Sequence, residues 1–169
     1  MKKRSKAQNA AFGGVLVALS VLLLYLGAIL PAAKLCLCAL AAAIPALEFA
    51  QRRVRAGVLV FAAAAVIALL FLPDKNVALF YTAMLGPYTI VKYFVEGIPG
   101  QAVCWILKIA YFNIDLLVLW KTAESVLALL PERLMSHAYL VILAGNIVFV
   151  FYDMVLSKLI FYAKNRLRR

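Results

Sequence analysis

Six apolar runs, each about the length of a bilayer-spanning helix, follow one another along the chain with only short polar breaks between them. A spanning helix needs about 20 mostly apolar residues. The runs predict helices over approximately residues 10–30, 33–50, 56–72, 77–95, 101–120 and 137–163. Because 169 residues leave little chain outside these runs, the sequence predicts a single all-α transmembrane domain, residues 1–169, that forms a bundle of six helices.

The composition excludes an ordinary soluble domain. The chain is 67% hydrophobic and 15% charged, whereas soluble domains are about half apolar and roughly a quarter charged. A short chain has much surface to cover, so one small core cannot hide this many apolar side chains. We therefore expect lipid to be the main partner of the apolar surface.

The basic residues predict how the bundle is oriented. The net charge is +11, but Lys and Arg cluster at the ends of the apolar runs, where they meet lipid headgroups, so we expect no nucleic-acid partner. Alternating spans place fourteen of the 18 basic residues on one side, including both terminal tails and Arg52–Arg55. Excess Lys and Arg mark the cytoplasmic side. The positive-inside rule thus predicts a multi-pass cell-membrane protein with both termini in the cytoplasm.

The sequence shows no pattern typical of an enzyme or a metal centre. Its three cysteines and single histidine are too few for a tetrahedral metal site. It also contains no Ser/His/Asp set and no glycine-rich phosphate loop. We therefore expect a non-enzymatic protein without metal or cofactor.

Three charged residues within the predicted helices indicate a buried ion pair. Polar groups inside a span are costly and usually face the bundle interior. In antiparallel neighbours, Lys108 of the fifth helix comes level with Asp153 of the sixth, and Lys92 of the fourth lies nearby. A structural ion pair is the expected arrangement, because an unpaired charge there would be strongly destabilising. A proton- or ion-handling role is the alternative.

A second polar group, nearer the outer side, is the candidate substrate site. Asp115 lies two helical turns from Lys108 on the same face, at the depth of Asn146. Lone intramembrane carboxylates are binding-site candidates. An equal alternative is that Asn146 satisfies Asp115 with a hydrogen bond and that no ligand binds there. Other residues in this half add hydrogen-bonding capacity, with packing as the alternative role of the tyrosines. The candidate substrate-binding residues are Asp115, Asn146, Asn113, Tyr81 and Tyr88.

Two local patterns concern the backbone and helix packing. Gly86-Pro87 in the fourth predicted helix permits a kink. Small residues at four-residue spacing in the first helix form a ridge that allows another helix to approach closely. The residues expected to make this helix contact are Ala7, Ala11, Gly14 and Ala18.

The sequence combines six predicted short helices, a predicted cytoplasmic location of both termini, a basic amino-terminal tail and a small-residue ridge on the first predicted helix. In these features it resembles the S components, the membrane-embedded substrate-capture subunits of energy-coupling-factor transporters. The segment Gly86-Pro-Tyr-Thr-Ile-Val-Lys92, with Asn146 and Tyr152-Asp153, is also similar to small uncharacterised Firmicute membrane proteins related to that group.

The resemblance implies a substrate-binding subunit of a vitamin- or micronutrient-type transporter, with a small-molecule pocket in the outer half. It also implies docking to a transmembrane coupling subunit with paired ATPases, through an alanine motif that corresponds to Ala7/Ala11 or Gly14/Ala18. The first outer loop, near Pro31, is much shorter than in the family, whose members cover the ligand with it. A structural scaffold of the cell envelope, or a lipid-handling membrane protein, is the alternative function.

Overall fold

The computed structural model describes residues 6–122 and 138–167. Within these ranges the chain forms helices and turns and no strand, so the fold is all-α. A 3-10 turn, Pro31–Ala33, precedes α2, and a π-helical turn, Tyr81–Leu85, joins α5 to α6. The helices are α1 Lys6–Ile29, α2 Lys34–Ala43, α3 Ala46–Ala50, α4 Val54–Phe71, α5 Lys75–Phe80, α6 Gly86–Val95, α7 Gln101–Thr122 and α8 Ala138–Leu167.

Five helical segments in the described ranges are long and apolar enough to cross a membrane. They carry large apolar side chains on their outer surface, such as Leu59, Phe71 and Ile106, each more than 60% exposed. Such a surface is expected where lipid replaces water as the solvent. These features support a multi-pass membrane protein. The five segments are Ala7–Ile29, Pro31–Ala50, Val54–Phe71, Gln101–Leu119 and Ile142–Asn165.

The fourth predicted span, residues 77–95, is helical throughout but is not among these five. It consists of α5, the π-helical turn and α6, and it carries Tyr81, Tyr88 and Lys92 on its buried side. These polar residues lower its mean hydropathy relative to the other segments. The segment lies inside the bundle, in contact with α2, α4 and α7.

Consecutive spans alternate in direction, with α2 and α3 forming one span and α5, the π-helical turn and α6 another, and this gives the bundle two ends. The termini end consists of the start of α1, the turn Gln51–Arg53, the turn after α6 and the end of α8. The opposite end consists of Pro31–Ala33, the turn before α5 and the end of α7. An ion pair between Lys34 and Asp74, 2.7 Å apart, joins the start of α2 to the turn before α5 at the opposite end.

Gly86 and Pro87 explain the π-helical turn. Pro87 has no N–H to donate to the carbonyl four residues before it, and the N–H of Gly86 donates to the carbonyl of Tyr81, five residues back. A Cβ atom at Gly86 would lie 2.2 Å from Cε2 of Phe61, so glycine lets α4 pack closely here. The kink that Gly86-Pro87 permits is realised as a π-helical turn.

The π-helical turn also separates two apolar cores. An unbroken α-helix would place Tyr81 and Tyr88, seven residues apart, on one face. The extra residue of a π-helical turn offsets the following face by about 100°. Tyr81 accordingly packs with α1, α2 and α4, around Leu24 and Ala64. Tyr88 packs with α7 and α8, around Phe149.

Candidate functional site

Two lysines and an aspartate meet in the second core. Lys92 lies in the last turn of α6, Lys108 on α7 and Asp153 on α8, and they are 0%, 5% and 2% exposed. Nζ of Lys108 is 3.0 Å from Oδ2 of Asp153. Nζ of Lys92 and the hydroxyl of Tyr88 both donate to Oδ1 of Asp153. The structure thus brings together all three residues that the sequence places in a buried ion pair.

Glu96 adds a second carboxylate to this group. Its Oε1 lies 2.7 Å from Nζ of Lys92 and 2.8 Å from Nζ of Lys108. We call Lys92, Glu96, Lys108 and Asp153 the charge cluster; with two ammonium and two carboxylate groups, its formal charge is zero. Neutralisation matters because an uncompensated buried charge costs several kcal/mol.

Glu96 lies just beyond α6, and its side chain is 39% exposed. Its partial burial favours a raised pKa, but hydrogen bonds and charges from Lys108 and Lys92 outweigh burial and hold the pKa of Glu96 below its usual range. The Glu96 carboxylate is therefore ionised at neutral pH.

Ser157 completes the polar surroundings of Lys92. Nζ of Lys92 donates to Oγ of Ser157 at 2.7 Å and to the carbonyl of Asp153 at 3.3 Å. The Ser157 hydroxyl donates to the same carbonyl, one turn back in α8. A fully buried ammonium needs such partners, because each unpaired N–H in an apolar interior is costly.

Sequence reasoning did not find Glu96 or Ser157. Both are four residues from a predicted member of the cluster, Glu96 after Lys92 and Ser157 after Asp153, and residues at this spacing are neighbours on a helix. That spacing is the signal that could have identified them. Glu96 was missed because it falls in the predicted turn rather than in a predicted span.

An aromatic layer and an amide pair follow the charge cluster toward the opposite end. The rings of Phe112 and Phe149 stack with centroids 4.5 Å apart, and Tyr88 meets Phe149 edge-on at 4.8 Å. Beyond them, Asn113 and Asn146 exchange two hydrogen bonds of 3.0 Å. These layers hold α7 against α8 in antiparallel orientation.

The structure does not pair Asn146 with Asp115, which was one of the two roles that the sequence left open for Asn146; Asn146 pairs with Asn113 instead. The two helices meet along Phe112 and Leu116 of α7, where a Cβ at Gly145 of α8 would lie 3.3 Å from the Phe112 ring. Asn113 and Asp115 are about 200° apart around the helix. With α7 in this rotation, Asn113 comes beside Asn146, and Asp115 faces away from α8.

Asp115 is half-buried, and its Oδ2 is shielded from solvent without a hydrogen-bond partner in the described part of the chain. One turn before it on α7 is Tyr111, whose ring lies 6.0 Å from that of Tyr88. Asp115 therefore lies on the side of α7 that faces the π-helical turn and α6, which α7 contacts.

The remaining predicted substrate residue, Tyr81, is fully buried in the first core. Its ring lies 5.8 Å from that of Phe61, and its hydroxyl has no hydrogen-bond partner among the described residues. The five predicted substrate-binding residues thus fall in three places. Tyr88 donates a hydrogen bond to Asp153 of the charge cluster, and Asn113 and Asn146 pair with each other. Of the five, only Asp115 and Tyr81 carry shielded polar atoms without a hydrogen-bond partner among the described residues.

The small-residue ridge of α1 faces outward. Ala7, Ala11, Gly14 and Ala18 are all exposed, and a Cβ added at Gly14 would meet no atom within 4 Å. The other side of α1 packs on α2 and α4 through Leu16 and its neighbours. The ridge is therefore open to another helix or to lipid.

Within the described residues, no group of three His, Cys, Asp or Glu side chains is arranged to hold a metal ion. His137 lies outside the described residues. Comparisons with known protein families, with curated proteins and with solved structures found no match. The likeness to the S components of energy-coupling-factor transporters therefore rests on the sequence features alone.

Proposed function

We propose that the chain is the membrane-embedded substrate-binding subunit of a small-molecule transporter. The observation that carries the proposal is that two shielded polar groups among the predicted substrate-binding residues, the Tyr81 hydroxyl and Oδ2 of Asp115, have no hydrogen-bond partner in the described part of the chain. Leaving such a group unsatisfied costs about 1–3 kcal/mol. A bound molecule that supplies the missing hydrogen bonds would recover this energy, and Tyr81 lies in the π-helical turn that α7 contacts.

The charges of the interior indicate which ligand chemistry suits Asp115. Lys92 and Lys108 are engaged by Asp153 and Glu96, so they do not neutralise Asp115. An aspartate in this position favours a ligand that brings a positive charge or hydrogen-bond donors. A small amine or a donor-rich neutral molecule is therefore the expected class.

The proposed topology has six spans, with the segment from Lys75 to Val95 as the fourth. The termini end carries most of the basic residues and is assigned to the cytoplasm. Reporters fused after Arg169 and within Arg52–Arg55 should then read cytoplasmic, and one within residues 124–133 should read external. An external carboxyl terminus would overturn this orientation.

The exposed ridge of α1 is the proposed contact with a transmembrane coupling subunit and its ATPases. Small residues allow the close backbone approach that such a contact needs. Replacing Gly14 by Leu should weaken co-purification of a partner without unfolding the chain, because nothing in the chain occupies that space.

Ligand capture can be tested on the purified chain with Asp115→Asn, which keeps the shape of the side chain and removes its charge. The protein, purified in mild detergent, is analysed by native mass spectrometry for a retained small molecule. We expect the molecule to be lost in Asp115→Asn and in Tyr81→Phe. It should be retained in Asp74→Asn and Tyr25→Phe, which make the same changes at the opposite end and on the exposed side of α1.

One observation favours a second candidate, a structural scaffold. The charge cluster satisfies its own charges, as a purely structural ion network would. A scaffold would retain no small molecule, would be indifferent to Asp115→Asn and would depend on the α1 ridge. The same variants therefore separate the two functions.

A further inference from the structure

We propose that the charge cluster is an oxyanion-binding site in which the Glu96 carboxylate is a tethered occupant, and that a phosphate or carboxylate group from outside the bundle can replace it. The site lies near the termini end, on α6, α7 and α8. It is separate from Asp115 and does not depend on the transport function proposed above.

The geometry around Glu96 is that of an anion site. Two ammonium groups converge on one carboxylate oxygen, with Nζ of Lys92 at 2.7 Å and Nζ of Lys108 at 2.8 Å. A hydroxyl, Oγ of Ser157, lies 2.7 Å from the same Lys92 nitrogen. Charge-assisted bonds of this length are the strong ones that bind carboxylate and phosphate groups. Because both lysines are buried, an external anion can reach them only in the place that Glu96 fills.

Glu96, rather than Asp153, is the replaceable carboxylate. Asp153 is almost fully buried and accepts hydrogen bonds from both lysines and from Tyr88. Glu96 is more than a third exposed and stands at the start of an exposed turn, Gly97–Gly100, that ends in a glycine with φ of 112°. Movement of the Glu96 side chain into solvent would leave the remaining cluster with one net positive charge.

The covalent attachment of the Glu96 carboxylate to the chain sets the size of the expected effect on anion affinity. A group linked by a short chain competes with free ligand at an effective concentration on the order of millimolar or more. Removing the Glu96 charge should therefore lower the Kd for an external oxyanion by about tenfold or more. The proposal predicts saturable binding that Glu96→Gln strengthens.

Trp105 provides the readout. Nζ of Lys108 lies 5.4 Å from the centre of its ring, so movement of that charge should change its fluorescence. The chain has two tryptophans, and Trp120→Phe leaves Trp105 as the sole reporter. In this background, the parent and Glu96→Gln are placed in phosphatidylcholine nanodiscs and titrated with inorganic phosphate. A second series replaces phosphatidylcholine stepwise by phosphatidylglycerol. Asp74→Asn is the charge-matched control, because it removes an acid at the opposite end.

A saturable response of Glu96→Gln to phosphate, at least tenfold tighter than that of the parent, supports a site for soluble oxyanions. A response to phosphatidylglycerol alone supports the same site with a lipid headgroup as its source. Adding Lys92→Gln, which removes the other ammonium group of the site and leaves the reporting charge of Lys108 in place, should abolish either response. If Glu96→Gln fails to fold, Glu96→Asp, which withdraws the carboxylate by one methylene group, is tested by the same criterion. The proposal is overturned if the variants respond to neither probe, respond no more than Asp74→Asn, or keep their response without Lys92.

Discussion

Replacing Asp153 by Asn should be one of the most destabilising single changes in this chain. The side chain of Asp153 is 3% exposed, whereas that of Glu96, the other carboxylate of the charge cluster, is 39% exposed. At 3.0 Å from Nζ of Lys108, the attraction of two unit charges is about 5.5 kcal/mol for an effective dielectric constant of 20. Part of this attraction only compensates for the cost of removing both charged groups from water. Removing one partner of a buried pair typically costs about 3–5 kcal/mol, and we expect a loss in that range.

A double-mutant cycle with Lys108→Met isolates the interaction. Asp153→Asn leaves the cluster with one excess positive charge, and Lys108→Met leaves it with one excess negative charge. The double variant retains Lys92 and Glu96, a neutral pair with its charged atoms 2.7 Å apart. Its loss of unfolding free energy should therefore be about 2–3 kcal/mol smaller than the sum of the two single losses.

The assay is reversible unfolding in mixed micelles with an increasing fraction of sodium dodecyl sulfate, followed by circular dichroism. The matched control is the same cycle at Lys34 and Asp74, which are 2.7 Å apart but 26% and 19% exposed. Exposure should limit their coupling to about 1 kcal/mol or less. Additive losses at Lys108 and Asp153, or equal coupling in the two cycles, would refute the assignment of a desolvated ion network.

Two further predictions concern packing and pH. Gly86→Ala should lower the unfolding free energy by about 1–3 kcal/mol, because the added Cβ would meet the Phe61 ring. The control, Gly14→Ala, should be neutral or slightly stabilising, because its Cβ would meet no atom within 4 Å. Equal effects of the two changes would contradict the close contact between Gly86 and α4. Partial burial favours a raised pKa for Asp74, but hydrogen bonds and charge from Lys34, with backbone N–H groups, outweigh it and hold that pKa below its usual range. The contribution of this pair is therefore present at neutral pH and is lost as pH falls below about 4 through the folded-state pKa. Unfolding titrations should show a deficit of about 1 kcal/mol or less in Asp74→Asn at neutral pH that disappears in acid; a deficit that grows in acid would contradict the sign.

The contact between Lys108 and Asp153 could be predicted because it depends only on depth. In two antiparallel spans, counting residues from one end fixes which side chains are level, and a buried charge requires an opposite charge at its own level. The same argument does not decide which residue of α7 pairs with Asn146. Depth makes Asp115 and Asn113 nearly equivalent, and the choice between them depends on how α7 is rotated about its axis, which the packing of Phe112 and Leu116 decides.

The separation of Tyr81 from Tyr88 could not be predicted either. Seven-residue spacing predicts a shared face, and Gly86-Pro87 indicates a kink without specifying its kind. A simple bend would have kept the two tyrosines on one side. The π-helical turn changes the rotation of the chain between them, with the N–H of Gly86 donating to the carbonyl of Tyr81 and the ring of Phe61 packed against Gly86.

The π-helical turn also determines how the chain responds to changes in its length. A π-helical turn accommodates one residue more than an α-helix needs for nearly the same rotation. Deleting one of its residues, such as Ala83, would remove that surplus and leave α5 and α6 facing the same cores. Deleting a residue within α6 instead would turn Lys92 by about 100°, away from Asp153. The middle of this segment is therefore the place where shortening is best tolerated. The charge cluster, in contrast, requires an unchanged number of residues from Pro87 to Lys92.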